Sequence, residues 1–209
     1  MIEYFLLLGA FSTMLLLSFL PGYLEYRAPK DPGPLHIELP RVIDPRSEAI
    51  HFRRTIEPLA NSQGWSQKQI WGTSVHEKDF KNNRGNLKIT RTDGNITIPA
   101  GSVVESALIV LGDLISQEDC RFTETVYVKG RCQIGRRNKL TAVTSAGDLS
   151  IGKETEVLSF VDSDGTVRIG DGCVIGGLVS SSQTVTIEGS CNARSFNSRT
   201  IKIILQMNS

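Results

Sequence analysis

The sequence predicts an all-β fold, a β-solenoid of about six coils, each of roughly 17–18 residues, preceded by a single transmembrane helix. The first observation behind this is a period. Seven positions, Ile98, Ser116, Ile134, Ile151, Ile169, Ile187 and Leu205, recur about every 18 residues, with one interval a single residue shorter. That period is too long for a heptad and too short for a helical repeat, and it suits one turn of a solenoid per repeat. The second is that several columns keep it. Ile96, Leu114, Cys132, Leu149, Val167 and Val185 stand two residues earlier, and Val104, Phe122, Leu140, Val157, Ile175 and Ala193 six residues later. The residues between these columns are mostly polar, as in short strands with one face turned inward. The third is an uncharged, largely apolar run from Tyr4 to Leu20. A β-sandwich with coincidental spacing is the competing fold, but its strands do not hold register across seven positions in several columns.

Residues 1–26 are expected to form the membrane anchor. Tyr4, Phe5, Leu6, Leu7, Leu8, Phe11, Leu15, Leu16, Leu17, Phe19 and Leu20 supply its apolar surface, and with Pro21–Leu24 the run reaches bilayer length. A cleaved signal peptide is the alternative. It normally carries Lys or Arg before the apolar run and a small-x-small site after it, whereas Glu3 is the only side-chain charge ahead of this one. Arg27, Lys30, Arg41 and Arg46 follow the run, which places the remainder of the chain in the cytoplasm by the positive-inside rule. A periplasmic domain is the other option.

Residues 27–84 read as a connector. Pro29, Pro32, Pro34, Pro40 and Pro45 keep its first part extended. Ser47–Glu57 suits a short helix, capped by Ser47, with Ala49, Phe52 and Ile56 on one face and Pro58 ending it. Trp65 and Trp71 are candidates to cover the first coil, or to lie at the membrane surface. Lys81–Asn86 reads as a loop.

Residues 85–209 form the solenoid. Leu87–Ile89 is expected to be the last side of an incomplete first coil. Each full coil has three sides of about six residues, with corners at Gly112-Asp113, Gly147-Asp148, Asp164-Gly165, Gly170–Gly172 and Gly189. The third side is less regular. Leu108 with Val110 and Val126 with Val128 fit it; Thr144 with Ala146, Val161 with Ser163 and Val179 with Ser181 fit less well, and Phe160 and Leu178, one residue earlier, are the competing inward groups. Cys120, Cys173 and Cys191 share one inward column, so Cys173 and Cys191 stack at strand spacing, within reach of a disulfide if the compartment oxidises.

The composition excludes more than it names. The chain has 23 basic and 22 acidic side chains, and the coils carry 13 of each, so no basic face suited to nucleic acid is expected. Arg136, Arg137 and Lys139 read as a solvated corner rather than an anion site. The three histidines, His36, His51 and His76, all precede the coils. Hexapeptide acyltransfer and γ-type carbonic anhydrase chemistry need histidine on the coils. His76 with Glu77 and Asp79 reads as a solvated loop rather than a metal trio. Gly147–Lys153 begins like a phosphate-cradling loop, but Glu154 stands where the magnesium-binding hydroxyl belongs. The expectation is a protein without catalytic activity, metal, nucleotide or other cofactor.

The coil segments GDLIS (Gly112–Ser116), VKGRCQIG (Val128–Gly135), GDLSIG (Gly147–Gly152) and GTVRIGDGCVIGG (Gly165–Gly177) together resemble the bactofilins, a family of bacterial cytoskeletal proteins. The resemblance covers about half of the chain. It implies a right-handed parallel β-helix that stacks end to end into nonpolar filaments without nucleotide, acting in cell shape, envelope organisation or motility. Some members carry an N-terminal membrane-binding segment; this chain departs from them in its full-length apolar span and long connector, and with that span it is expected to be a single-pass protein of the bacterial inner membrane, with self-association, membrane lipid and cell-shape or envelope-synthesis proteins as partners. The expected polymerisation interface is the two ends: Phe196, Ile201, Ile203, Ile204 and Leu205 at one, with Ile203 and Leu205 in the inward columns, and Leu87, Ile89, Ile96 and Ile98 at the other. A monomeric adaptor or envelope sensor that binds a protein partner is the alternative function.

Overall fold

The computed structural model describes residues 2–27, 46–82 and 85–204, in two compact units that divide at Val42 and Ile43. The first unit contains one helix, α1 (Ile2–Arg27), 26 residues long. The expected anchor residues all lie on it, and its described side chains, Phe11–Leu20 among them, are exposed. Among the described residues, no helix is long and apolar enough to cross a membrane. The transmembrane part of the expected fold is therefore not found. The Pro-rich stretch before Arg46 lies outside the described residues.

The second unit is the solenoid. One face is a parallel seven-stranded ladder: Ile96–Ile98, Leu114–Ser116, Cys132–Ile134, Leu149–Ile151, Val167–Ile169, Thr184–Glu188 and Thr200–Ile204. The other two faces share an 11-stranded sheet that bends at the corners. Counting coils from Ile96, this face begins the first coil and Thr184–Glu188 begins the sixth. The inward columns are closed to solvent: Ile98, Leu149, Ile151 and Ile169 are 2 % exposed or less. Each such side chain contributes about 1.5–3 kcal/mol by leaving water.

Two corner devices repeat. In the first, Gly112, Gly130, Gly147 and Gly165 stack on one another. A Cβ at Gly130 or Gly147 would lie 2.6 Å from the carbonyl oxygen of the glycine below, so any side chain forces adjacent coils apart. The side chains beside this corner join one coil to the next. Asn95 Oδ1 accepts from the Asp113 amide, Asp113 from Arg131 and Asp148 from Thr166, each at 2.8 Å. The second corner holds a left-handed residue in five successive coils: Gly101, Asp119, Arg137, Glu154 and Gly172, with φ of 71, 59, 54, 57 and 71°.

The third face keeps the expected register at Leu108 and Val110, Val126 and Val128, Val161 and Ser163, and Val179 and Ser181, and departs from it in one coil only. Val126 pairs with Val143, Val143 with Val161, Val161 with Val179, and Val179 with Phe196. Ser145, Ser163 and Ser181 continue the Val128 column. Val143 and Ser145 therefore take the places assigned to Thr144 and Ala146, and Phe160 and Leu178 are not core residues. The cause is one residue missing at the Thr141 corner, where the register shifts between Leu140 and Ala142. That omission also produces the one short interval in the repeat.

The segment before the coils is structured. Helix α2 (Ser47–Ala60) is followed by strands β1 (Ser66–Ile70), β2 (Thr73–Asn82) and β3 (Gly85–Thr92). Arg46, not Ser47, is the N-cap, and Pro58 lies inside the last turn, two residues before the end. Trp71 and Gly72, both at positive φ (52 and 71°), form the tight turn between β1 and β2. β2 pairs antiparallel with β3, so part of the expected Lys81–Asn86 loop is strand. β3 in turn pairs parallel with Ala107–Val110, forming the expected incomplete first coil.

Candidate functional site

The two ends of the rod differ. At the C-terminal end the last two strands are Cys191–Asn197 and Thr200–Ile204. Phe196 stacks in register on Val179 and packs, half-buried, against the core. Ile201 pairs with Val185 and Ile203 with Ile187, two positions sooner than the repeat predicts. The inward columns therefore end in Ile201 and Ile203, and the expected place of Leu205 is taken by Ile203. Two residues are lost on this coil, one between Ala193 and Ser195 and one before Thr200. Leu205 itself lies outside the described residues. No described coil follows, so Ile201, Ile203 and Ile204 are 47, 63 and 50 % exposed. The rim of this end is of one sign: Arg194, Arg199 and Lys202 are exposed, and residues 189–204 contain no acid.

The N-terminal end is filled. Val75 of β2 is fully buried in the solenoid core, and Ile70 and Trp71 pack against it. Ile96 and Ile98 point inward and are buried. Ile89 is buried and Leu87 half-buried in a separate lateral cluster with Ile56, Ile109 and Tyr127. Of the two tryptophans, Trp71 covers the core. Trp65 belongs to the lateral cluster, edge-on to Phe80 at 6.3 Å, and donates from Nε1 to the Ser62 carbonyl at 2.6 Å. The structure thus brings Phe196, Ile201, Ile203 and Ile204 together at an open end and buries Ile89, Ile96 and Ile98.

Helix α2 lies along the outer side of the third face and explains why outward residues there are buried. At one end Arg46 donates from Nε to Asp162 at 2.7 Å, from Nη1 to Ser182 at 2.6 Å and from Nη2 to Asp164 at 2.8 Å. Two helical turns farther on, Arg53 donates to Asp162 at 2.6 Å, to Thr144 at 2.7 Å and also to Asp164. Asp162 is fully buried. The carboxylates push the Arg46 guanidinium pKa above its ordinary value, the Asp162 hydrogen bond contributing most. Beyond them Ile56 and Leu59 join Ile109, Tyr127 and Ile89. Fourteen helical residues span about 21 Å, close to the roughly 19 Å of four inter-coil steps.

The remaining candidates resolve into structural roles. Arg136 pairs with Glu118 at 2.5 Å, Arg137 with Asp119 at 2.7 Å and Lys139 with Glu156 at 3.2 Å, so that basic corner is neutralised by its neighbours. The guanidinium hydrogen bonds hold Glu118 and Asp119 below the usual carboxylate range. His76 faces Asp93 at 3.3 Å, and no group of metal-binding side chains is found among the described residues. The Gly147 and Gly152 positions are solenoid corners, where their amides bond the preceding coil. Cys173 and Cys191 are register partners, as their shared column predicts, and all four thiols are free. Burial pushes the Cys191 thiol up to about 11.

No family model, curated protein or solved structure matches the chain. The fold defines a class, a parallel β-solenoid whose last coil is uncovered among the described residues. The sequence signals missed here were weak. The β1–β2 turn rests on Trp71, an unusual residue at positive φ, and the α2 clasp joins residues more than 100 positions apart.

Proposed function

We propose that the protein is a tethered structural scaffold of the bactofilin type, which self-associates through the open C-terminal coil without nucleotide. The observation that carries this reading is the terminal strand Thr200–Ile204. Three of its isoleucines are about half exposed or more, and its outer edge has no partner strand among the described residues. Such an edge offers backbone donors and acceptors together with an apolar surface. The exposed apolar side chains of α1, such as Phe11, Met14 and Leu16, support its role as a lipid-embedded tether at the bacterial inner membrane. The basic residues after α1 favour a cytoplasmic solenoid. Roles in cell shape, envelope organisation or motility follow from the bactofilin resemblance.

The test is sedimentation of the detergent-solubilised protein, without nucleotide, across a concentration series. Association that is lost on Ile203→Arg or Phe196→Arg, in variants with unchanged circular dichroism, is the expected result. A monomer at every concentration refutes self-association. The second reading is an adaptor that binds a protein partner as a monomer. The filled N-terminal end and the uniformly basic rim favour it, since both suit a single partner with an acidic border.

A further inference from the structure

Stacking rods head to tail requires two free ends, and the two ends here are built differently. At the N-terminal end β2 occupies the edge of β3 along its length, from His76–Arg91 to Asn82–Gly85. β1 then pairs on the far side of β2. Two extra strands on one face add roughly 9–10 Å beyond the first coil, and Val75, Ile70 and Trp71 turn over the core. The last coil of a second copy has no level surface to meet there. At the C-terminal end no described element covers the core, and the outer edge of the final strand has no partner strand among the described residues.

We propose that assembly is a closed pair: two copies meet open end to open end about a two-fold axis, and growth stops because β1 and β2 fill the other end. This rests on the reading of the open end as the site of self-association. An open strand edge is complementary to itself when two copies run antiparallel, each supplying the donors and acceptors that the other lacks. Ile201, Ile203 and Phe196 then close one apolar layer against the same residues of the second copy. The cations Arg194, Arg199 and Lys202 ring that layer in both copies. They oppose one another across the joint, and screening reduces the repulsion as the Debye length falls from about 8 Å at physiological salt to about 3 Å at 1 M. Pairing therefore tightens as salt rises, whereas capture of an acidic partner or an anionic lipid surface weakens.

The experiment is sedimentation velocity of the full chain in detergent, at low and high salt, combined with cross-linking of a Lys202→Cys variant by a flexible bismaleimide. The closed pair gives a dimer that strengthens with salt, a cross-linked dimer without a ladder, and at least about tenfold weaker association for Ile203→Arg, which places an unpaired charge in the joint. Assemblies larger than two, or a dimer that loosens with salt and gives no 202–202 cross-link, overturn the closed pair. Both leave self-association through this end standing if Ile203→Arg still abolishes it. A monomer throughout overturns the underlying reading as well. Association through α1 alone is recognised by its indifference to Ile203→Arg, and it too refutes the proposal.

Discussion

Replacing Asp162 by alanine removes the carboxylate that both arginines of α2 share. Asp162 accepts from Arg46 Nε at 2.7 Å, Arg53 Nη2 at 2.6 Å and Ser180 Oγ at 2.5 Å, with no solvent exposure. Its loss leaves two guanidinium groups only 17 and 12 % exposed. Breaking a buried ion pair by deleting one partner costs about 3–5 kcal/mol. Asp164 remains bonded to both arginines, so the lower end, about 3 kcal/mol, applies. Asp164→Ala is the matched control. Its side chain is 46 % exposed, and the pairs it loses are worth about 0–1 kcal/mol each. Urea unfolding followed by far-ultraviolet circular dichroism measures both. Asp162→Ala should lower the midpoint by about 1–2 M with an unchanged slope, and Asp164→Ala by much less. A difference between the two variants under about 1 kcal/mol refutes the view that the clasp centres on the buried carboxylate.

Glu154→Gly should stabilise the protein by about 0.5–1 kcal/mol, raising Tm by roughly 1–4 °C, because Glu154 occupies a left-handed corner that Gly101 and Gly172 fill elsewhere. At Arg137 the same change should gain less, since it breaks the pair with Asp119. Calorimetry separates the two. The carboxylates of Glu118, Asp119 and Asp171 are depressed in the folded chain, the last by the Ser190 amide and hydroxyl. Their stabilisation is complete above the unfolded carboxylate range, about pH 4, and is lost as pH falls through the lower folded values. Asp171→Asn should therefore flatten the acid side of a Tm–pH curve, and an unchanged curve counts against this assignment. Cys191, pushed up from 9.0 to about 11, should react with iodoacetamide at pH 8 about 100-fold more slowly than in the unfolded chain. Equal rates would show that the open coil is not ordered around it.

The coil period was legible because it is written in residues that cannot be elsewhere: apolar side chains at Ile98, Ile134, Ile151 and Ile169, and corner glycines with no room for a Cβ. The frame of the third face was legible except in the third coil, where one residue omitted at Thr141 displaces everything up to the next corner while Thr144 and Val143 are both acceptable in a strand. The last coil misled for the same reason. Ile201, Ile203 and Leu205 all suit an inward place, and only backbone pairing selects the first two. The open end was legible in Phe196 and the isoleucines, but the filled end was not. Ile70, Trp71 and Val75 carry no period, and their partners are set by a hairpin whose turn residue is atypical. Arg46 entered only as one of the basic residues after the apolar run and Arg53 not at all, because Asp162 is brought to them from 116 and 109 positions away.

A solenoid of this kind normally behaves as a one-dimensional array, in which each coil needs only its neighbours. Helix α2 alters the order of events during synthesis. It leaves the ribosome before any coil, carrying Arg46, Arg53, Phe52 and Ile56 with nothing to hold them. The apolar part of its bed, Ile109 and Tyr127, is made first, and Asp162 follows 116 residues behind Arg46. At about 5–20 residues per second the interval is roughly 6–23 s. The helix therefore docks from its Ile56 end toward its Arg46 end, where the buried carboxylate of Asp162 arrives late and the Ser182 hydroxyl last. The fourth coil then supplies the shared carboxylate and the fifth completes the strap, binding the early and late parts of the rod into a single cooperative body.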